Sequence, residues 1–514
     1  MLKNGKSKIY IAKSGDEELF LFPRMANRHG IITGATGTGK TVTLKVMAES
    51  FSDLGVPVFL SDVKGDLTGT CVPGADSDDM RERIGRFGIK EDFQYCGYPT
   101  RFWDIFGEAG HPVRVTVSGM GPMLLSRLFG LTDAQTGVLN IVFRIADENG
   151  LLLYDIRDLN AMLRFVSENR EEFQKTYGSI MPVSVGAIQR ALLEFENEGG
   201  EAIFGLPELD INDFMVRDGD GRGYINVLES SKLIQSPNVY AIFLLWLMTE
   251  LFEKLPETGD PDIPKLVFFF DEAHVLFENA PRTLVQKITQ IVKLIRSKGV
   301  GVYFISQSPS DVPDAVLSQL SNKIQHRLNA YTPKEQRALR AAATSYRANP
   351  EFDTAEAISN LGTGEALVSF LDEKGIPSVA KKACVLPPQS LIGPCDAGVL
   401  DAVVAESELE AKYREPSDPE SAYEIIEKAN AELEKEKEKE KKYSSGLTKK
   451  TEKAGKAAAN SIGRSISTSI VNTLTGGKAV SAKTAAKRAV TSALNSVIGP
   501  RISSIFRGIF GNIK

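Results

Sequence analysis

Gly34, Ala35, Thr36, Gly37, Thr38, Gly39, Lys40 and Thr41 form a complete G-x-x-x-x-G-K-[ST] phosphate loop. Its glycines let the backbone turn tightly, so that successive N–H groups point at the α and β phosphates, and a helix starting at the loop adds its positive dipole end. Lys40 is spaced to reach the β and γ phosphates, the Thr41 hydroxyl is placed to ligate Mg²⁺, and Val42 closes the expected contact set. A second set lies 231 residues beyond Lys40, where an apolar run ends in Asp271 and Glu272. At the carboxyl end of a buried strand, Asp271 can hold Mg²⁺ through water and Glu272 can take a proton from an attacking water. Gln307, ending a third apolar run, is able to bond both that water and the γ phosphate. Together the three predict a site for a nucleoside triphosphate and its hydrolysis. The letters Asp271-Glu272-Ala273-His274 also suggest a DEAH-type helicase, but none of the downstream motifs of that class follows.

These residues need particular elements beneath them. Residues 30–33 read as a short buried strand, and residues 42–52 carry Val42, Val46, Met47 and Phe51 at helical spacing, with Gly55 past the end. The run 265–270 suits a strand buried on both faces. Further strands are expected at 56–60, 224–228, 299–306, 324–328 and 365–370. Strands alternating with helices argue for an α/β core with a largely parallel sheet. Residues 122–218 carry helical stripes such as Leu124, Leu125 and Leu128, or Ile188, Leu192 and Phe195, and read as a helical subdomain inserted into that core. The expected organisation is a short N-terminal segment (1–24), core (25–121), insertion (122–218), core (219–386), a charged helical extension (387–442) and a basic Ser/Ala/Gly-rich tail (443–514).

With 514 residues there is ample chain for two or three domains. Four cysteines without a C-x-x-C pair and four scattered histidines indicate neither a disulfide framework nor a metal cluster. No signal peptide is visible, and the longest apolar stretch, residues 240–248, is too short to span a bilayer. A cytoplasmic protein is the expectation.

Charge is unevenly shared. From residue 443 onward 12 Lys/Arg face one acid, which leaves about −16 on residues 1–442 given the whole-chain −5. An acidic body engages DNA only through a local basic surface. The Glu/Lys run at 427–442 reads as a solvated helix with i,i+4 pairs. Ile502, Ile505, Phe506, Ile509, Phe510 and Ile513 fall on one helical face. Docking onto the body or a neighbouring subunit is one use for that face; peripheral contact with an anionic membrane is the other.

In sequence order, Asn27-Arg28-His29-Gly30, the phosphate loop, Asp62-Val63-Lys64-Gly65-Asp66-Leu67, Phe270-Asp271-Glu272-Ala273-His274, Arg296-Ser297-Lys298-Gly299, Ile305-Ser306-Gln307 and Leu317-Ser318-Gln319-Leu320-Ser321-Asn322 resemble the HerA-like branch of the HerA/FtsK superfamily. The resemblance covers roughly residues 20–385. It implies a RecA-like P-loop core and an ATP-driven, Mg²⁺-dependent motor, commonly a hexamer, that threads DNA through a pore. By position it implies phosphate and Mg²⁺ binding by Lys40 and Thr41, Mg²⁺ support by Asp271, a base in Glu272 and a sensor in Gln307. Arg28 and Arg296 match places where the family sets arginines near the γ phosphate, one supplied from a neighbouring subunit. About twenty residues precede the core, too few for the N-terminal β-barrel of HerA, and no N-terminal membrane helices of the FtsK kind are visible. Two function classes stand: a DNA-translocating motor, and a nucleotide-driven switch or assembly ATPase that remodels protein partners without moving along DNA.

Overall fold

All five residues of the strand Leu266–Phe270 are buried, and a strand with no exposed face must be covered on both sides. On one face Phe268 stacks on Phe270 at 5.6 Å between centroids, and Phe270 on Phe304 at 5.5 Å. On the other, Phe269 stacks on Tyr303 at 5.1 Å and also meets Phe51. Phe51 belongs to the helix Lys40–Asp53 that follows the phosphate loop. One aromatic layer therefore seats the phosphate-loop helix against the strand that carries Asp271.

The computed structural model describes residues 1–447, apart from residues 4, 198, 234–235 and 278–281. The amphipathic stripe at 502–513, and the tail from residue 448 on, lie outside the described residues. Contacts divide the chain into two compact units, one of residues 1–114 with 207–416, the other of 115–206 with the chain from 417 on.

The first unit holds the sheet. In chain order its strands are β1 (Leu2–Lys3), β2 (Lys8–Ser14), β3 (Glu17–Leu21), β4 (Gly30–Thr33), β5 (Val58–Asp62), β6 (Thr100–Asp104) and β7 (His111–Pro112). They continue with β8 (Ile225–Glu229), β9 (Leu266–Phe270), β10 (Val300–Ser306), β11 (Asn322–Gln325), β12 (Glu365–Ser369) and β13 (Lys381–Val385). Across the sheet the order is β1-β2-β13-β12-β11-β4-β10-β9-β5-β8-β6-β7, with β3 on β2. From β11 to β7 every pairing is parallel. The remaining pairings are antiparallel. The sheet is mixed and mostly parallel, with β10 inserted between the phosphate-loop strand β4 and the acidic strand β9, as in RecA-like cores.

The antiparallel end carries strands that motif reading did not mark. Ile9, Tyr10, Ile11 and Ala12 of β2 are fully buried, and β2 pairs with β13, more than 370 residues away in the chain. The short segment before the core is thus part of the sheet.

The second unit is helical: Val117–Leu128, Asp133–Asn149, Ile156–Glu168, Arg170–Tyr177, Pro182–Asn197 and, from the far end of the chain, Ala422–Leu447. Asp155 and Asp158 close a capping box at the start of Ile156–Glu168. Asp158, 1% exposed, also accepts from Ser421 Oγ at 2.5 Å and from the Tyr423 N–H at 3.0 Å. Those bonds fasten the last helix to the inserted ones, and the Glu/Lys run lies within it.

Candidate nucleotide site

Parallel pairing fixes which residues leave the sheet together. Thr33 of β4 is level with Ser306 of β10 and Gln325 of β11, so Gly34, Gln307 and His326 emerge side by side. Ser61 of β5 is level with Phe270 of β9, so residues 63–64 emerge beside Asp271 and Glu272. All five exits lie at the carboxyl edge of the parallel strands, where ligands bind in open α/β sheets.

The loop itself is held by backbone bonds. Gly34 N–H donates to the Ser306 carbonyl at 3.3 Å, Ala35 N–H to the Arg327 carbonyl at 2.8 Å, and Gly364 N–H to the Thr38 carbonyl at 3.0 Å. Gly39, the N-cap of Lys40–Asp53, has φ 117°, a conformation that L side chains avoid. At Gly34 a Cβ would fall 2.5 Å from His326 Cβ. Thr36 and Gly37 stay exposed at the tip, while Thr41 and Val42 are half-buried at the start of the helix. Lys40, 6% exposed, donates from Nζ to the carbonyls of Gly34 at 2.7 Å and Ala35 at 3.2 Å. Burial pulls its pKa below the ordinary lysine range, with the charges of Glu272 and Asp271 opposing. An ammonium tied only to two carbonyls of its own loop can exchange them for phosphate oxygens, which bind a cation more strongly.

Asp271 and Glu272 are 5% and 4% exposed. The Asp271 N–H donates to Ser61 Oγ at 3.1 Å, and Ala273 N–H donates to the Ile305 carbonyl at 2.8 Å, which pins the turn between β5 and β10. Glu272 itself has φ 46°, a left-handed conformation that costs a non-glycine residue about 1–2 kcal/mol. Burial pushes the Asp271 carboxyl up to about 6. Burial acts on Glu272 in the same direction, but the Lys64 hydrogen bond and charge, with His274 and Lys40, outweigh it and hold Glu272 below its ordinary value.

Lys64 was not assigned a role by motif reading, although it lies within the Asp62–Leu67 run. Its Nζ donates to Glu272 Oε1 at 2.5 Å. The loop that presents it is built on Asp62, fully buried, whose carboxylate accepts from the N–H groups of Lys64, Gly65 and Leu67 at 3.2, 2.8 and 2.9 Å. His326 was missed as well. It is fully buried, with Nδ1 2.8 Å from the Glu365 carbonyl and Nε2 2.8 Å from Thr43 Oγ1. A carbonyl only accepts, so Nδ1 carries the proton and Nε2 takes the threonine hydroxyl. Arg83 reaches the Thr363 carbonyl at 3.4 Å, beside the turn that bonds Thr38. His326 directly follows β11 and Lys64 comes two residues after β5, and a polar group just past a buried strand is too common to single out a site; Arg83 lies within the helix Asp78–Phe87 and carries no such signal.

Gln307 stands exposed immediately after β10, at the expected strand tip. Arg28 and Arg296 do not join this group in their own chain. Arg28 precedes β4 and Arg296 precedes β10, which puts both at the amino edge of the strands. There both bind Asp260, Arg28 at 3.0 Å and Arg296 through both carboxylate oxygens at 2.8 and 2.9 Å. The seven residues of β10 separate the two edges by about 20 Å. Neither arginine reaches the phosphate loop of its own chain.

The donor set fits Mg²⁺ in the manner of such loops: one hydroxyl, Thr41, and one carboxylate, Asp271, with the balance from phosphate oxygens and water. Among the described residues no cluster of three or more His, Cys, Asp or Glu is disposed to hold a metal unaided. Nor is any described helix long and apolar enough to cross a membrane.

Similar proteins bear on the family. A DNA double-strand break repair helicase HerA from Sulfolobus acidocaldarius is 22% identical over 365 residues, covering 66% of this chain and 62% of that protein. The HerA of Sulfurisphaera tokodaii is 29% identical over 150 residues, 28% of this chain and 29% of that one. The chain therefore spans less than two thirds of the length of these curated relatives. Among solved structures, the bacterial conjugative coupling protein TrwBdeltaN70 superposes with a TM-score of 0.45 at 14% identity, over 76% of this chain and 90% of that one. VirB4 of Thermoanaerobacter pseudethanolicus gives 0.45 at 16%, over 75% and 97%. Likeness at that level says nothing about substrate or partner. The family described as helicase HerA-like C-terminal matches residues 7–514, and the chain belongs to it.

Proposed function

We propose that the chain hydrolyses ATP and works as a ring-forming motor of the HerA/FtsK type, moving along DNA. The observation that carries hydrolysis is the meeting, at one sheet edge, of the phosphate loop with its buried Lys40 and a buried Glu272 held below its ordinary pKa. In this reading the loop N–H groups and Lys40 bind the β and γ phosphates, and Gln307 orients the attacking water. Glu272 takes one proton from that water as its oxygen bonds to the γ phosphorus. The bond from that phosphorus to the bridging oxygen breaks, and ADP and phosphate leave. Thr41 and Asp271 would hold Mg²⁺, which supplies charge neutralisation at the phosphates.

The pairing of Arg28 and Arg296 on Asp260 at the far edge supports a shared site. An arginine that cannot reach its own phosphate loop is available to a neighbouring subunit, and a closed ring presents one such edge to each site. A hexamer is the ring size favoured by the family resemblance. The named activity of the Sulfolobus relative, DNA repair helicase, supports DNA as the track.

The test is ATP turnover by the purified chain, alone and with double- or single-stranded DNA. Stimulation by DNA, lost between about 50 and 200 mM salt as counterion release requires, is the expected result. Turnover that DNA leaves unchanged at every salt concentration would reject the DNA motor and favour remodelling of a protein partner. Absence of turnover would reject the site.

A further inference from the structure

We propose that Lys64 is a positioning residue for Glu272: by binding Oε1 it fixes the carboxylate so that Oε2 is the oxygen that receives the attacking water. This rests on the hydrolytic reading above and adds a residue to it.

Three observations carry the inference. The first is the contact itself, 2.5 Å from Lys64 Nζ to Glu272 Oε1, with Glu272 almost wholly buried and the Lys64 side chain 40% exposed. A buried carboxylate with one oxygen in a charge-assisted bond has little rotational freedom left. The second is the remaining oxygen. Among the described residues no donor makes an aligned hydrogen bond to the buried Oε2; its nearest charged neighbour is His274, an ion-pair contact with Nδ1 3.2 Å away. A buried carboxylate oxygen without an aligned hydrogen bond is an incomplete site, and a water molecule can complete it. The third is the construction behind Lys64. Asp62 gathers three backbone N–H groups to form the turn, Gly65 takes φ 72° within it, and β5 beside β9 sets that turn against the acidic pair. A surface lysine needs no such support, whereas a lysine that must present its ammonium to one oxygen does.

The charged groups around the pair are few. Lys40 lies on the phosphate-loop side, Asp271 and His274 on the same turn as Glu272, and Asp66 on the Lys64 loop. Lys40 is committed to the loop carbonyls, so Lys64 is the cation whose bond sets the orientation of Glu272.

The experiment measures ATP turnover and, separately, affinity for a fluorescent ATP analogue in the full chain. The variants are Lys64→Met, Lys64→Arg, Glu272→Gln and the double variant Lys64→Met with Glu272→Gln. A misplaced base costs up to roughly 10²-fold in rate. Lys64→Met is expected to lower kcat on that scale with KM and nucleotide affinity unchanged, and Lys64→Arg to recover part of the loss. In the Glu272→Gln background the same change should cost nothing further, because residues that act as a unit are not additive. Single-turnover measurements with labelled ATP reach the low rates of that background. Lys64→Gln takes the place of the methionine variant should that protein fail to fold. Equal fold-losses in both backgrounds would overturn the inference, as would loss of nucleotide affinity with kcat intact, which would make Lys64 a phosphate ligand. A wild-type chain without turnover, or a Glu272→Gln chain with normal turnover, is a different failure, since it removes the hydrolytic site itself.

Discussion

Replacing His326 with Gln should make the first unit less sensitive to acid. His326 is fully buried between the phosphate-loop helix and β12. Burial, aided by the Lys40 charge, lowers its pKa to about 4, against about 6.5 for an unfolded histidine. Between those values the unfolded chain binds a proton that the folded chain refuses. Stability from this group is therefore fully present above about pH 6.5 and falls as the pH drops toward 4. The loss from neutral pH down to 4.5 is on the order of 2–3 kcal/mol. The buried carboxyls of Asp62 and Asp271, pushed up to about 7 and about 6, run in the opposite direction, because the unfolded chain releases their protons first as pH rises. Wild-type pH dependence alone would mix the two effects. A Gln at 326 removes the titration, can still accept from Thr43, and leaves those carboxyls in place. At pH 7.5 the variant should be less stable by about 1–3 kcal/mol, the cost of leaving the Glu365 carbonyl unpaired. By pH 4.5 the gap should close by roughly 2–3 kcal/mol. Urea unfolding of the nucleotide-free protein, followed by the fluorescence of Trp103 and Trp246, reads this directly, since both indoles are buried in the first unit. A gap that stays constant from pH 7.5 to 4.5 would refute the reasoning.

Glu272→Gln should still bind ATP while hydrolysis falls by roughly 10²–10⁴-fold, whereas Lys40→Ala should weaken nucleotide binding itself; direct binding titrations separate the two. Gly39→Ala places a Cβ on a residue at φ 117°, 3.3 Å from Gly364. It should cost about 1–2 kcal/mol and weaken ATP binding, and an unchanged melting midpoint with unchanged affinity would speak against the loop geometry. For the shared site, an Arg296→Ala chain keeps its phosphate loop and a Lys40→Ala chain keeps its arginine. Mixing the two inactive proteins should restore part of the turnover, since such an arginine is worth roughly 10³–10⁵ in rate. No recovery with either Arg296→Ala or Arg28→Ala, and activity independent of protein concentration, would end that proposal.

The phosphate loop, the acidic strand end and the polar residue after β10 were legible in the sequence because each is a contiguous piece of chemistry. A turn that needs glycines before a Lys-Thr pair, or an apolar run that stops at Asp-Glu, records demands made by residues within a few positions of one another. Periodicity likewise gave most of the parallel strands and the helix Lys40–Asp53, since a buried face repeats along the chain. The antiparallel strands β2 and β13 were not legible, because nothing local says that Ala12 pairs with Val385. Nothing local tied the helix Ala422–Leu447 to Asp158 either. The partners within the site belong to the same class. Lys64 meets Glu272 only because the sheet order sets β5 beside β9, and His326 meets the phosphate-loop helix only because β11 lies beside β4. Arg28 and Arg296 show the converse: 12 residues from Lys40 and 11 from Gln307 in the chain, they sit at the opposite edge of the sheet. A parallel strand carries its two ends to opposite sides of the fold, so closeness in sequence across a strand means separation in space, and only the assembled sheet decides which residues share a site.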